Sequence, residues 1–474
     1  MTKPDLFVGV PVYNGVATVV ETLECIQRQT YRNIRVVISI DGNDTASALA
    51  CEPYTSDPRF EIVVHTERRG WHGNLNWLIA HADLPYFSFW QQDDLADDTF
   101  LEHLRAELER HPEAVVAYAD IQWFGTRTDL ESAPSIIGST SERVVRHIRA
   151  LRHEPMVGLL RASAIDRTRD AITPTLDESC QEEFVFLARL AAVGSFRRVE
   201  GTLYRKRAHG TNAYQRFIDF PEYRRRRGWI SMGIGLIGVA ASVFPTRHRR
   251  DVIEFVAERL AVALPGLGYF YLPAPTQGEI SRFVRELLVE AHLGSTLTPS
   301  TRPNVVAGHT IHPAVGEGVA AWHHDALRRD DMSRQIDETG SLHLATGIDG
   351  EGRALLGGGW STTDKEGVWS DADRATILLP RLPRGTWRIE LRGTVYQPRT
   401  LDRPAQVTWS VDGGSAVAAD LAGGAVVALV EVGRARQAVI QLGLPDAASP
   451  KDENLSDDPR HLGYFLFGVV ITRV

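Results

Sequence analysis

Short apolar runs that alternate with helix-period segments over the first 120 residues restrict the fold of this chain more than any other feature. Leu6 to Val12 is a β-branched run that ends at a turn, and a helical pattern over Val16 to Gln29 follows it. The same order then repeats, with strands predicted at 34–40, 60–64, 86–90 and 114–119 and helices at 75–82 and 99–110. Nearly continuous apolar strands are buried on both faces, which is typical of a mostly parallel sheet covered by helices. The sequence therefore predicts a layered α/β domain with a Rossmann-like sheet.

Acidic and amide side chains follow these predicted strands where each strand ends. Asn14 follows the first strand, Asp41 and Asp44 follow the second, and Asp93 and Asp94 follow the run that ends at Trp90. Each residue alone is a common turn former or helix cap. Ligands of such sheets bind beyond the carboxyl ends of the strands, and paired carboxylates there suit Mg²⁺ or Mn²⁺ on a diphosphate. Together these residues predict a nucleotide and metal site for group transfer.

The 474 residues are enough for several hydrophobic cores, and the pattern divides them into four parts. Residues 1–213 form the α/β domain. Residues 214–296 are helical in period without strand signals, and 297–340, rich in Thr, Pro, Gly and His, are predicted as a linker. Residues 341–474 show short β-branched runs between Gly, Pro and Asp, which predicts an antiparallel β-sandwich.

Charge and cysteine content limit the partners and the compartment. The chain carries 52 basic and 60 acidic side chains, a formal net charge of −8, which argues against a nucleic-acid partner. Cys25, Cys51 and Cys180 form no CxxC motif and cannot all pair, so a reducing compartment is favoured. The first residues lack the basic and apolar regions of a secretory signal. We therefore expect a cytoplasmic protein.

The longest apolar run, Gly228 to Phe244, falls at the lower limit of the length that spans a bilayer. Glycine and serine residues interrupt it, which favours a buried helix. Arg224 to Arg227 before it and Arg247, Arg249 and Arg250 after it also suit a helix that lies on anionic headgroups. Peripheral contact with an anionic membrane, at the inner face of the cell membrane, is therefore the alternative. No motif indicates an oligomeric state.

Six segments, in a fixed order between Asp5 and Asn212, resemble the family 2 inverting glycosyltransferases with the GT-A fold. They read VGVPVYNG, VVISIDGNDTAS, RRGWHGNLNWLIAHA, FWQQDDLADDTFLEHL, CQEEFVFLARLAAVG and YRKRAHGTN. No single segment is specific, but six in this order are. The resemblance implies transfer of a sugar from a nucleotide-diphosphate donor to a hydroxyl of a glycan or lipid-linked acceptor, with inversion. Bacterial cell-surface polysaccharide synthesis is the implied setting.

The resemblance also implies roles for individual residues. The donor would be held by Pro11, Tyr13, Asn14, Asp41, Asn43, Gly70, Asn74, Gln92 and Asp93. Asp93 corresponds to the carboxylate of the DXD motif that binds manganese or magnesium. The motif here reads Gln91-Gln92-Asp93 with Asp94 beside it, and Gln is a poor metal ligand. His209 would complete a metal site with Asp93 and Asp94.

An inverting transfer needs a base that takes the proton of the acceptor hydroxyl. The resemblance implies that this base is the second residue of an acidic pair at a helix start, which is Glu183, preceded by Glu182. The family's usual residue there is Asp, and Glu182 is a rival for the role. Two carboxylates in a first helical turn are also favourable partners of the helix dipole without any catalytic role.

The C-terminal segment resembles the β-sandwich that accompanies glycan-processing domains of bacterial surface-polysaccharide proteins. Trp360 and Trp369 are its candidate glycan contacts, since an indole face suits a pyranose ring, although core packing is favoured for each Trp alone.

Three classes of function compete on this sequence. A metal-dependent hexosyl- or related glycosyltransferase is favoured. A catalytically degenerate carbohydrate-binding or scaffold protein is the alternative, because Gln91 and Glu183 depart from the usual residues. A nucleotidyltransferase would carry a Gly-rich basic loop after the first strand, which PVYNGVATVVETL lacks. The donor sugar, the acceptor and the linkage are not indicated.

Overall fold

The computed structural model describes most of the chain. The described residues are 3–167, 171–173, 182–210, 220, 222–245, 248–262, 283–285, 287–288, 313–361, 364–421 and 424–474. Cys180, Asn212 and most of 263–312 lie outside them, so the predictions made there are not followed further. The chain divides into two compact units: Met1–Phe220, Ser231–Tyr271 and Asn304–His309 form the first, and Pro221–Ile230, Leu272–Pro303 and Thr310–Val474 form the second.

A mixed sheet lies at the centre of the first unit. Its strands are β1 (Leu6–Val12), β2 (Ile34–Ile40), β3 (Phe60–Val64), β4 (Tyr86–Phe89), β5 (Leu95–Ala96), β6 (Ala114–Gly125), β7 (Leu130–Glu131), β8 (Leu159–Arg161) and β9 (Ser195–Ala208). Their order is β3-β2-β1-β4-β8-β6-β9-β5, with β7 paired to β6. The first four strands run parallel, as do β6 and β9, whereas β8 and β5 are antiparallel to their neighbours. The predicted α/β fold is confirmed.

Helices follow or alternate with these strands along the chain. They are α1 (Val19–Arg28), α2 (Thr45–Cys51), α3 (Gly70–His81), α4 (Phe100–Arg110), α5 (Thr140–Ala150), α6 (Glu182–Val193), α7 (Glu222–Val243) and α8 (Arg249–Val262). Short 3-10 helices lie at Glu52–Ser56, Glu154–Val157 and Ala162–Ala164. In α4 the buried residues Phe100, Leu101, Leu104 and Leu108 recur at the helical period, which explains why this helix packs one face on the sheet.

The predicted helical segment contains α7 and α8, and the apolar run in α7 is a buried helix. Met232, Leu236 and Ala240 are buried at helical spacing. A Cβ atom added to Gly235 would lie 2.8 Å from the side chain of Val185 in α6, so α7 packs tightly on α6 at this glycine. Within the described part of the chain, the helices lack the combination of length and apolarity that crossing a bilayer requires.

Part of the predicted linker forms a helix in the second unit. Residues 297–312 lie outside the described ranges, whereas Pro313–Thr339 forms a helix, α9, that the sequence did not predict. Asp325, Arg329, Met332 and Ile336 are buried at helical spacing along it. Two of these four residues are charged, and for that reason the apolar pattern alone shows no period.

Two antiparallel sheets form the C-terminal part, and the predicted β-sandwich is confirmed. The strands are β10 (Ser341–Ala345), β11 (Val368–Trp369), β12 (Arg374–Leu378), β13 (Gly385–Val395), β14 (Thr408–Val411), β15 (Val417–Ala418), β16 (Ala425–Val432), β17 (Val439–Gly443) and β18 (Tyr464–Arg473). One sheet has the order β10-β18-β13-β16, with β11 on β18, and the other β12-β17-β14-β15. Along β13, Trp387, Ile389 and Leu391 face the core while Arg388 and Arg392 are exposed, which is the alternation of a half-buried strand.

Candidate functional site

The carboxyl ends of β1, β2 and β4 meet at one edge of the sheet, and the loops that follow them are joined by side chains. Gln92, after β4, accepts a hydrogen bond from the Tyr13 backbone N–H through Oε1 at 2.8 Å. Its Nε2 donates to the Tyr13 carbonyl at 3.0 Å. The second glutamine of the altered DXD motif therefore holds the loop after β1 in place. Its contact with a donor sugar stays a prediction.

The loop after β1 is also held by the start of α2. Asn14 has a positive φ of 51°, and its backbone N–H donates to Asp44 Oδ2 at 2.7 Å. Gly15 N donates to Ser47 Oγ at 2.9 Å. Burial raises the pKa of Asp44, but hydrogen bonds from Ser47 and Asn14 outweigh it and hold the pKa below its usual value. Asp44 therefore stays ionised and shapes this loop.

Asp41 binds the first turn of α3. It is 3% exposed and accepts hydrogen bonds from the backbone N–H groups of Arg69 at 2.6 Å and Gly70 at 3.0 Å. The guanidinium of Arg68 lies 3.8 Å from the centre of the Tyr13 ring and donates to the Tyr13 hydroxyl at 3.0 Å. The predicted donor residues Tyr13, Asp41 and Gly70 are thus brought together, with Arg68 over them.

Two other predicted donor residues differ in exposure. Asn74 is 2% exposed, accepts from Ser39 Oγ at 2.5 Å and donates to the Ser39 carbonyl at 2.9 Å, so its side chain fastens α3 to β2. Asn43 is exposed at the rim.

Asp93 and His209 meet at the same edge although 116 positions separate them. His209 Nε2 lies 2.8 Å from Asp93 Oδ2, and the Arg207 Nε donates to the Asp93 carbonyl at 3.0 Å. The Arg207 guanidinium also pairs with Glu21 at 2.6 Å. A carboxylate oxygen and an imidazole nitrogen at this distance are a donor pair that suits a divalent ion such as Mn²⁺. The structure brings together two of the three predicted metal ligands.

Asp94, the third predicted ligand, points into the protein. It is 1% exposed, and its two oxygens accept from the Tyr204 hydroxyl and the Arg207 backbone N–H, each at 2.9 Å. Burial, with the charge of Asp93 as a further cause, raises the pKa of Asp94. Asp94 is therefore not placed to bind a metal, and instead ties the β4 loop to β9. Sequence reasoning missed Tyr204, because only the tertiary fold brings it to Asp94.

Glu182 and Glu183 open α6, as predicted, but they differ in accessibility. Glu182 is 1% exposed, whereas Glu183 keeps part of its surface open to solvent. Dense surrounding protein still buries the Glu183 carboxylate enough to raise its pKa, and Lys206 partly counteracts this. Lys206 also lowers the pKa of Asp94. The same ammonium therefore acts on both carboxylates.

Comparison with known proteins agrees with this geometry. Residues 7–166 match the family model described as glycosyl transferase family 2. The match covers β1 to β8 and the Asp93 loop; α6 and β9 lie beyond it. The predicted resemblance to the family 2 glycosyltransferases is thereby confirmed over residues 7–166.

Individual relatives match this chain over limited lengths. Glycosyltransferase GlyG of Streptococcus pneumoniae is 29% identical over 110 residues, which are 23% of this chain and 36% of that protein. EpsH of Bacillus subtilis is 27% identical over 227 residues, 46% of this chain and 64% of that protein. The chain thus spans less than two thirds of either relative. The crystal structure of S. aureus TarS 1–349 in complex with UDP-GlcNAc aligns with a TM-score of 0.47 at 14% identity, over 60% of this chain and 81% of that one.

The sandwich places its two candidate glycan contacts differently. Trp360 is 3% exposed, donates from Nε1 to the Thr376 carbonyl at 2.8 Å and packs in the core, and its contact with glycan stays a prediction. Trp369 is partly exposed and lies beside Phe465 and Tyr396, with ring centres 5.0 and 6.1 Å away. These three rings form a surface aromatic cluster.

Proposed function

We propose that this protein is a metal-dependent glycosyltransferase that moves a sugar from a nucleotide-diphosphate donor to a hydroxyl of a glycan or lipid-linked acceptor, with inversion. The observation that carries the proposal is the pairing of Asp93 and His209, 2.8 Å apart, at the sheet edge where the loop after β1 also lies. Ligands of parallel sheets bind at this edge. Synthesis of a bacterial cell-surface polysaccharide is the proposed setting.

Asp93 Oδ2 and His209 Nε2 would hold Mn²⁺ or Mg²⁺, and the nitrogen ligand favours manganese. The ion supplies positive charge that offsets the diphosphate. Tyr13, Asp41 and Arg68 border the position proposed for the nucleoside. Arg207, held beside Asp93, adds a fixed positive charge next to the phosphates.

Glu183 is the proposed base. Its partial exposure supports it over Glu182, which is closed off from solvent in this structure. Burial raises the pKa of Glu183 toward the range in which a carboxylate accepts a proton effectively near neutral pH. Glu183 would accept the proton of the acceptor hydroxyl as that oxygen attacks the anomeric carbon and the nucleoside diphosphate leaves.

Two further parts of the proposal concern the rest of the chain. The cluster of Trp369, Tyr396 and Phe465 is a candidate carbohydrate-binding surface. Contact of the α7 region with anionic lipid, in a cytoplasmic protein at the inner face of the membrane, is also kept as a proposal. The side chains of Arg224, Arg226, Arg227 and Arg247 lie outside the described part of the structure.

The test is a thermal-shift screen of the full chain against nucleotide sugars with and without Mn²⁺. A ligand that binds only the native state raises the melting temperature. We expect one donor class to raise it with Mn²⁺, and Asp93→Asn to abolish the manganese-dependent part. Asp98→Asn, which changes an exposed carboxylate in the segment after β5, is the control and keeps the full shift. Absence of a shift with every donor contradicts the proposal.

A degenerate carbohydrate-binding or scaffold protein is the second candidate. The commitment of the Gln92 side chain to the Tyr13 backbone favours it, because this motif position then serves loop structure. Donor hydrolysis measured with Mn²⁺ separates the two: hydrolysis that is lost in Asp93→Asn supports the enzyme, and donor binding without any hydrolysis or transfer supports the scaffold.

A further inference from the structure

A second cluster of possible metal ligands is formed by residues outside the Asp93 loop. Glu131 ends β7, and His153 and Glu154 lie at the start of the 3-10 helix Glu154–Val157. One ligand atom of each residue lies within 4.8 Å of the other two. His153 Nε2 is 3.3 Å from Glu131 Oε2. The three side chains therefore converge on one point from two separate segments of the chain.

Three side-chain atoms of this cluster lack a hydrogen bond. Glu131 Oε2, His153 Nε2 and Glu154 Oε2 are buried and have no hydrogen-bond partner among the residues that the structure describes. Glu154 as a whole is 0% exposed. A buried polar atom without a hydrogen bond is destabilising, so three such atoms in one cluster favour a bound ligand that compensates them.

Arginine side chains form hydrogen bonds with Oε1 of Glu131 and with Oε1 of Glu154. Arg127 Nη2 donates to Glu131 Oε1 at 2.6 Å, and Arg152 Nε donates to Glu154 Oε1 at 2.9 Å. Each arginine fixes the orientation of its carboxylate and leaves Oε2 free of that bond, and Oε2 of Glu131 lies beside His153. This is how residues around a metal centre orient the ligands that touch the ion.

We infer that Glu131, His153 and Glu154 bind a divalent transition-metal ion, with Zn²⁺ as the best match to one imidazole nitrogen and two carboxylate oxygens. The three protein ligands leave a fourth position for water or another oxygen. This site is separate from the Asp93 and His209 pair and goes beyond the proposed glycosyl transfer. The bound ion would join β7 to the segment after α5.

The surrounding charges bear on the affinity. Arg127 and Arg152 are bonded to the two carboxylates. The Lys206 ammonium lies 5.3 Å from the ring centre of Trp123, and Trp123 packs against His153 with ring centres 6.4 Å apart. These three cations weaken the binding of a metal ion relative to an isolated site of the same ligands.

The experiment is a competitive Zn²⁺ titration of the full chain in the Asp93→Asn background, which removes the other candidate site. We expect one equivalent of zinc to bind. His153→Ala and Glu131→Gln, each added to that background, should weaken the affinity at least about tenfold. His103→Ala, an exposed histidine of α4, is the matched control and should bind zinc as the background does. Circular dichroism without metal checks that each variant is folded.

X-ray absorption at the zinc edge provides a second readout. We expect nitrogen and oxygen neighbours only, with imidazole scattering that disappears in His153→Ala. Equal zinc affinity in the background and in both ligand variants overturns the inference, as does absence of zinc binding in the folded background protein. Either result leaves the proposed glycosyl transfer untouched, because Asp93 alone tests that.

Discussion

At the rim of the sheet, individual polar side chains form hydrogen bonds that fix the positions of neighbouring backbone segments. Gln92 bonds both polar groups of the Tyr13 backbone, Asp41 accepts from two N–H groups of α3, and Asn74 is bonded twice to Ser39. Buried polar groups must be satisfied, and Gln92 does so for the loop after β1, whereas Asp41 and Asn74 fasten α3 to the end of β2. Their substitution should therefore affect donor binding through loop position as well as through lost contact.

Glu183→Gln is the sharpest prediction for a single residue. Gln keeps the shape but cannot accept the proton, so kcat should fall by orders of magnitude while donor affinity stays near wild type. Since the base must be ionised, activity should be lost as pH falls through the raised pKa of Glu183. Steady-state kinetics with donor titration and a pH profile measure both effects.

The control for Glu183→Gln is Glu102→Gln. Glu102 is an exposed carboxylate in the first turn of α4, so it shares the favourable helix-end position without the proposed role. Its turnover should match wild type. Near-wild-type turnover in Glu183→Gln would remove Glu183 from the mechanism.

At the scale of secondary-structure elements, α5 and α6 are joined by a buried histidine. His147 Nε2 donates to the Phe184 carbonyl at 2.9 Å, and burial lowers the pKa of His147 to about 4. The ordinary value of 6.5 applies in the unfolded chain, which therefore binds more protons than the folded chain between these two values. Stability contributed by neutral His147 is thus present above this window and lost as pH falls through it.

We expect the free energy of unfolding to fall by about 2 kcal/mol between about pH 7 and pH 5 because of His147. His147→Gln keeps an N–H donor for the Phe184 carbonyl without a titrating ring, so this part of the pH dependence should disappear. Urea unfolding of both proteins at the two pH values is the measurement. Identical pH dependence in the two proteins would show that His147 does not contribute.

A pair of glycines in α7 tests the packing of α7 on α6. A Cβ at Gly235 would lie 2.8 Å from Val185, whereas at Gly238 it would meet nothing within 4 Å. Both substitutions to Ala gain about 1 kcal/mol of helix propensity, so their difference reports the contact. We expect Gly235→Ala to be less stable than Gly238→Ala by roughly 1–3 kcal/mol, measured by denaturant unfolding. Equal stability would mean that Val185 does not restrict α7.

At the scale of the whole molecule, the two units are expected to carry separate binding functions. Trp369 belongs to the second unit and the Asp93 loop to the first. Trp369→Ala in the full chain should weaken oligosaccharide binding in a calorimetric titration while leaving the donor-dependent thermal shift unchanged. Leu429→Ala, at another exposed position of the sandwich, is the control. Unchanged oligosaccharide binding in Trp369→Ala would limit this cluster to a structural role.

The hydrophobic pattern along the sequence predicted much of the fold. The runs 6–12, 34–40 and 60–64 coincide with β1, β2 and β3, because a strand buried on both faces must be apolar throughout. The helix α9 was missed because Asp325 and Arg329 occupy its buried face. Arg329 donates to the Ala354 carbonyl, a partner that no pattern within the helix reveals.

In the candidate site, too, some features could be predicted from the sequence and others depend on the tertiary structure. The positions of Asp41 and Asp93 after buried strands, and the motif that contains His209, could be found in the sequence alone. The inward orientation of Asp94 could not, because it depends on Tyr204, 110 positions away. The burial of Trp360 likewise depends on Thr376 and on the packing of the two sheets.

The sequence by itself determined the α/β layering, the β-sandwich and the placement of acidic residues at strand ends, since these follow from hydrophobic periodicity and from the chemistry of turns. Only the tertiary structure decided which polar atoms meet. It paired Asp93 with His209, turned Asp94 inward and brought Glu131 to His153 and Glu154. Hydrogen bonds and metal ligation require atoms within about 3 Å of each other in space, and the number of residues between two positions does not determine that distance.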